Sequence, residues 1–340
     1  MTTVVNGRIL LDMSGENTDY RVQRRNWWCW RQSDDGLGSA VLFTSAAYRG
    51  QTNHHDPMLP AAARGLQNSA NLSEAPTQDQ TEIILRLARM WWFERQLDYH
   101  PVAKHAEMGR LTLNRSALAQ HYGLPTQYLD LTDDFDVAAF FATCRPTKHG
   151  WAPMESDVGV IYRVDFDEGF SNPIGGRYEP LGPQPLPRPT EQCGWVTLLP
   201  MVHSFENWPN VRLMRFYHDK RIGEHYLQQF DGGNVLFPPD PLADVAREIL
   251  DCNEIPQELI ESAISLSLQL DCIPDEQIPV IRRELSRQVS ISAYRRVLTD
   301  RQVASLMEDF EWRTRMLPEV KAQTVLFKTV DRPTNRESDA

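Results

Sequence analysis

Residues 117–142 read ALAQHYGLPTQYLDLTDDFDVAAFFA, and this stretch decides the predicted fold. A helix should end at Gly123, which suits the left-handed conformation, with Pro125 just beyond it. TQYLDLT then predicts a short strand, and DDFDVAAFFATC predicts a second helix whose first amides Asp133 can cap. The segment is therefore a helix, a tight turn, a strand and a helix in succession, with polar side chains at each junction.

Hydrophobic periodicity outside this stretch predicts further helices and strands. An amphipathic helix should run from residue 77 to about 97, because its apolar side chains recur on one helical face. Residues 157–166 alternate between apolar and polar types and predict a half-buried strand. The six prolines within 173–189 favour a loop, whereas FDGGNVLFP at 230–238 predicts a tight turn into a final strand.

These patterns together predict an α+β protein: a curved, mostly antiparallel sheet with packed helices, followed by a helical C-terminal extension. We divide the chain where the pattern changes. The predicted parts are an N-terminal strand-rich segment at 1–39, an α+β core at 40–240, a helical extension at 241–325 and a frayed tail at 326–340.

Composition argues against several classes of function. The chain has 340 residues and a net charge of -11, which disfavours a non-specific nucleic-acid coat or a protein held on an anionic membrane. No window approaches the ~18 apolar residues of a membrane span, so we expect a soluble, cytoplasmic protein. The five cysteines are widely spread, and the adjacent His54, His55 and Asp56 are poorly spaced to converge on one ion, so we predict no metal site.

The segment YRGQ, residues 48–51, ends a predicted core strand. Arg49 at such a place needs a partner or a cleft, because an unpaired buried guanidinium is costly. Its planar fork can bind phosphate oxygens in a two-pronged way that Lys cannot copy. The alternative is that Arg49 holds Asp130 and only braces two strands.

Taken together, YRGQ and the later QHYGLPT, LDLT and VAAFFA resemble the FRG domain, over about residues 40–237. The family pattern has Arg where this chain has Gln127, and often Trp where it has Leu131. The resemblance implies kinship with the ADP-ribosyltransferase-like fold. In that fold an Arg on an early strand, a Ser or Thr at a later strand end and a downstream carboxylate surround NAD.

The resemblance and the local sequence patterns together indicate which residues form the site; Glu224 is chosen because it precedes the last predicted strand. The residues expected to bind NAD, as a substrate, are Tyr48, Arg49, Gly50, Gln51, Thr126, Tyr128, Thr132 and Phe140. The catalytic candidates are Arg49, His121, Asp130 and Glu224, with Gln228, Gln229 and Asp231 as alternatives to Glu224. A carboxylate is needed because cleavage of the nicotinamide–ribose bond passes through an oxocarbenium-like state.

The leading expectation is an NAD-using ADP-ribosyltransferase or NAD glycohydrolase acting on an unknown acceptor, either a protein or a nucleic acid. A toxin or phage-defence role is an association from the wider fold. The helical extension should dock a protein partner. Two alternatives remain: a catalytically silent nucleotide- or partner-binding module, and a hydrolase built on His121 and Asp130.

Overall fold

The computed structural model describes residues 44–55, 57–67, 72–109, 111–166, 176–200, 204–269 and 273–309, with short pieces at 4–6, 10, 28–33, 36–41 and 173. The predicted tail at 326–340 and most of the predicted segment at 1–39 lie outside these residues. Within the described ranges, no helix is long and apolar enough to cross a membrane.

The strands form one large sheet and three small ones. In chain order they are β1 (Val4–Asn6), β2 (Trp28–Ser33), β3 (Gly36–Val41), β4 (Ala46–Gln51), β5 (Tyr128–Thr132), β6 (Cys144–Thr147), β7 (Gly150–Pro153), β8 (Val158–Asp165), β9 (Tyr178–Pro180), β10 (Gly194–Leu198), β11 (Val211–Tyr217), β12 (Glu254–Pro256) and β13 (Ser290–Ser292). The large sheet has the order β1-β11-β8-β4-β5-β10-β9. Its neighbouring strands are antiparallel, except that β1 and β11 are parallel.

Helices account for most of the rest of the described chain. They are α1 (Thr77–Leu97), α2 (Pro101–Gly109), α3 (Arg115–His121), α4 (Phe135–Thr143), α5 (Pro187–Glu191), α6 (Lys220–Gln229), α7 (Pro241–Asp251), α8 (Gln257–Gln269), α9 (Ile278–Gln288) and α10 (Asp300–Glu308). The protein is therefore α+β, as predicted, with a mixed sheet. The helix predicted from 77 to 97 and the helix–strand–helix order within 117–142 are confirmed as α1, α3, β5 and α4.

Three local predictions are corrected. FDGGNVLFP contains no strand; its chain makes a 3-10 turn at Asp231–Gly233, where both glycines have positive φ. The proline-rich segment holds the short edge strand β9 and the short helix α5, because proline is tolerated at a sheet edge and in the first turn of a helix. Asp134 rather than Asp133 caps α4, since its side chain accepts from the amides of Asp136 and Val137.

The large sheet separates two clusters of buried apolar side chains. Helix α4 covers one face, where Ile161 and Phe216 are buried. The opposite face carries Ala47, Tyr162 and Val164 under other aromatic side chains. A third cluster joins α1 with α7, α8 and α9. The helices after residue 241 therefore share a hydrophobic core with a helix from within the predicted 40–240 segment.

Candidate functional site

The large sheet is split between β4 and β5. Strand β4 pairs with β8 at six positions but with β5 only through Tyr48 and Thr132. Beyond that pair the Arg49 side chain bridges the two strands, because its Nη1 donates to the backbone oxygen of Asp130 at 2.7 Å. Arg49 thus braces the strands, as one alternative held, although it binds the backbone of Asp130 and not its carboxylate.

The Arg49 guanidinium lies in an unusual electrostatic setting. Its Nε is inaccessible to solvent and has no hydrogen-bond partner among the described residues. Burial lowers the pKa of Arg49 to about 10; the nearby charge of Arg64 adds to this shift, whereas Asp130 and Tyr162 oppose it. The side chain remains cationic at neutral pH, so the split carries a partly satisfied positive charge.

Gly50 explains why a helix can lie directly on this strand. A Cβ at this position would stand 1.7 Å from the backbone oxygen of Ala138 and 2.8 Å from the amide of Ala142, both in α4. Tyr48, two residues earlier, faces the same side and packs edge-on against Phe135. Because side chains alternate along a strand, Arg49 and Gln51 face the opposite side of the sheet. The glycine of YRGQ is therefore a packing requirement.

The QHYGLPT motif builds a polar network around Asp130. One carboxylate oxygen of Asp130 lies 2.7 Å from His121 Nδ1, and the other accepts from Gln120 Nε2 at 3.1 Å. Gln120 Oε1 accepts in turn from the Thr126 hydroxyl at 2.8 Å, and that hydroxyl accepts from the Tyr128 amide. This network fixes the start of β5, and with it the backbone oxygen that holds Arg49.

The charges within this network also set the protonation of Asp130. Burial alone would raise the pKa of its carboxyl group. The charge and contact of His121, the Arg49 guanidinium and the Gln120 amide together outweigh burial, so the pKa is lowered. Asp130 therefore stays ionised at neutral pH, with Gln120 donating to one oxygen and His121 beside the other.

The His121 side chain is almost completely buried. Its side chain is only 2% exposed. A Cβ at Gly194 would stand 2.4 Å from His121 Nε2, which places the backbone of β10 directly against the ring. The imidazole therefore holds Asp130 in place and has no room beside it for a substrate.

The remaining predicted site residues are scattered. Thr132 donates to the Gln192 backbone oxygen and accepts from the Asp134 amide, which makes it a buried junction residue. Phe140 is fully buried among other aromatic rings. Glu224 is exposed on α6, and the final strand predicted after it, at 230–238, is not formed. The structure brings Arg49, Asp130 and their neighbours together, but it does not bring Phe140 or Glu224 to them.

A second polar cluster was missed at the level of sequence. His54 Nε2 lies 2.8 Å from Glu206 Oε2, and Arg215 Nη2 lies 3.2 Å from His54 Nδ1. These residues are far apart in the chain, so no local motif unites them. One signal was available: Val211 and Leu213 precede Arg215 on the same strand face, so a charge there interrupts an apolar row.

Comparison with known proteins assigns part of the chain to a family. Residues 44–150 match a family model of the FRG domain. The chain contains an FRG domain. This domain includes Arg49, His121 and Asp130, whereas Glu206 and Arg215 lie beyond the matched residues. No curated protein and no solved structure gives a significant match. Among the described residues no group of three or more His, Cys, Asp or Glu side chains could hold a metal ion; Asp56 lies outside them.

Proposed function

We propose that the split between β4 and β5 binds NAD, and that this FRG-domain protein transfers ADP-ribose to a protein or nucleic-acid acceptor or to water. The observation that carries the proposal is the Arg49 guanidinium, fixed at the split by one hydrogen bond while its Nε has no partner among the described residues. Such a planar cation binds phosphate oxygens with two parallel hydrogen bonds. Arg49 would anchor the pyrophosphate of NAD.

The residues behind Arg49 support this role. Asp130 presents the backbone oxygen that orients the guanidinium, and His121 and Gln120 hold Asp130 through both carboxylate oxygens. Binding sites need such supporting contacts because small displacements weaken oriented hydrogen bonds. In the proposed site His121 and Asp130 are positioning residues and not the acid and base of a hydrolase.

Two carboxylates are candidates for stabilising the ribose cation. When the nicotinamide–ribose bond breaks, its electron pair goes to the nicotinamide nitrogen, and the acceptor oxygen bonds to the ribose carbon and loses its proton to solvent. Glu224 is the candidate from the sequence. Glu206 is favoured by its contact with His54, which lies beside Arg215 on the face of the sheet that also carries Arg49.

The test is release of nicotinamide from NAD by the purified full chain. Wild type should release it, and Arg49→Lys, which keeps the charge but loses the planar fork, should lower the rate by about a hundredfold or more. Arg163→Lys is the matched control, because Arg163 is on β8 and its side chain is 47% exposed. Glu206→Gln and Glu224→Gln then distinguish the two carboxylates. If wild type neither binds nor cleaves NAD, the proposal is wrong.

A catalytically silent nucleotide-binding module is the second candidate. It is favoured by the exposed position of Glu224 and by the engagement of both Asp130 oxygens with His121 and Gln120. Calorimetric binding of NAD that depends on Arg49, without release of nicotinamide, would support this candidate over the enzyme. The protein partner expected for the helical extension stays a prediction.

A further inference from the structure

A row of polar side chains continues from Arg49 across the sheet. Gln51 pairs with Val160 on β8, and Val160 pairs with Arg215 on β11. The three residues are therefore in line across adjacent strands and face the same side. Because neighbouring strands lie ~4.8 Å apart, the backbones of Gln51 and Arg215 are about 10 Å apart, with Val160 between them. Arg49 lies two residues along β4 on this same face.

The members of this row share an unsatisfied state. Arg49 Nε, Gln51 Oε1 and Arg215 Nε are all inaccessible to solvent and have no hydrogen-bond partner among the described residues. Native structures seldom leave buried polar atoms in this state, and groups that do so call for an explanation. Two of the three atoms are guanidinium N–H donors, which an anion with several acceptor oxygens complements; the third is an amide acceptor, and the Gln51 side chain offers an anion a donor only through Nε2.

Neighbouring residues fix Arg215 without neutralising it directly. Its Nη2 lies against the His54 ring, and His54 Nε2 contacts Glu206 Oε2. The other Glu206 oxygen accepts from the Ser204 hydroxyl, which accepts from the Met58 amide. The two Glu206 oxygens therefore contact His54 and Ser204, and among the described residues no ion pair joins Glu206 to Arg215.

The local charges favour an anion. Arg49 and Arg64 are close enough for their charges to interact, and Arg215 lies on the same face of the sheet as Arg49. The neighbouring carboxylates already have histidine partners, Asp130 with His121 and Glu206 with His54. Clustered guanidinium groups of this kind raise the local concentration of anionic ligands.

We propose that Arg215 and Gln51 form a second anion subsite beside Arg49, which takes a phosphate group. The proposal rests on the proposed function and deepens it, because it assigns the site a ligand with phosphate at two places. One phosphate position is the pyrophosphate at Arg49. The second phosphate is either part of the nucleotide, such as the 2′-phosphate of NADP, or part of the acceptor.

The test is calorimetric titration of the full chain with NAD, NADP and inorganic phosphate. Arg215→Gln, which removes the charge, should weaken phosphate or NADP binding by about tenfold or more and leave NAD binding within about threefold. Arg212→Gln is the matched control, because Arg212 is on the same strand but its side chain is 77% exposed. Gln51→Glu, which places a negative charge in the subsite, should weaken the same binding in a second, independent variant.

The results distinguish the two possible sources of the second phosphate, and they test the subsite proposal apart from the proposed function. A preference for NADP over NAD that disappears in Arg215→Gln assigns the phosphate to the nucleotide. Equal binding of NAD and NADP, with inorganic phosphate binding the NAD-saturated wild type but not Arg215→Gln, assigns it to the acceptor. If Arg215→Gln and Gln51→Glu change neither the binding of NADP nor the binding of inorganic phosphate, the subsite proposal is overturned. Phosphate binding that depends on Arg215 without any binding or cleavage of NAD would support the subsite and refute the proposed function.

Discussion

Two polar regions meet at the split of the sheet, and they differ in how completely their hydrogen bonds are made. Around Asp130, one carboxylate oxygen accepts from Gln120, and the other lies 2.7 Å from His121 Nδ1 in an ion pair, although this contact lacks regular hydrogen-bond geometry. In the row of Arg49, Gln51 and Arg215, three buried atoms have no hydrogen-bond partner among the described residues. A satisfied network stabilises the fold, whereas an unsatisfied one costs stability unless a ligand completes it. The comparison separates residues that support the site from residues proposed to bind a ligand.

This distinction changes the interpretation of the sequence motifs. QHYGLPT is one of the motifs that carry the resemblance to the FRG domain, yet Gln120 and His121 contact Asp130, and Thr126 donates to Gln120. The YRGQ motif contains residues of both kinds. Gly50 makes room for α4, whereas Arg49 and Gln51 belong to the unsatisfied row. A motif typical of a family can therefore consist of residues that support a site and do not contact its ligand.

The largest effect should come from disturbing the satisfied network at Gly194. Gly194→Ala places a Cβ about 2.4 Å from His121 Nε2 and forces the imidazole away from Asp130. We expect a loss of about 3 kcal/mol in the free energy of unfolding, because overpacking of a rigid core is added to a broken ion pair. Urea denaturation of wild type and variant measures this loss.

His121→Ala supplies the control for this prediction. In that background the ring is gone, so the added methyl group has space and the further cost of Gly194→Ala should fall to within about 1 kcal/mol. Equal costs in both backgrounds would show that the methyl group acts elsewhere, and would contradict the close packing of β10 on His121.

Asp130→Asn should have the next largest effect. Its amide nitrogen would face a donor, either His121 Nδ1 or Gln120 Nε2, so we expect a loss of about 2 kcal/mol at neutral pH. The backbone bond to Arg49 is retained. Because the folded pKa of Asp130 is lowered, its contribution is present above the unfolded pKa of about 3.9 and is lost as pH falls through the folded value.

The difference in stability between wild type and Asp130→Asn should therefore shrink below about pH 4. Burial lowers the pKa of His100 to about 3, so both proteins also lose stability as acid protonates this histidine in the unfolded state. That contribution is common to the two proteins and cancels in the difference. A difference that is constant from pH 7 to 3 would contradict the role assigned to the Asp130 carboxylate.

The sequence predicted the parts of the fold that depend on local patterns. The periodicity of α1, the glycine that ends α3 and the alternation of β8 are properties of short segments. The strand predicted after Gly232 and Gly233 was wrong, because two glycines indicate a turn without specifying the type of element that follows it. Arg215 interrupts an apolar row, but its contacts with His54 and through it with Glu206 could not be predicted, because they depend on the register of β4, β8 and β11, which no single segment contains.

The smallest effect on stability should come from Arg215→Gln, and this prediction tests the other side of the comparison. Its Nε has no partner among the described residues, so removing the guanidinium loses little beyond the contact with His54. We expect a change within about 0.5 kcal/mol in the absence of ligand, measured by urea denaturation. A loss of about 2 kcal/mol or more would place Arg215 among the supporting residues. A small loss combined with weaker phosphate binding is the behaviour expected of a side chain kept for a ligand, because its favourable interactions are made only when the ligand is bound.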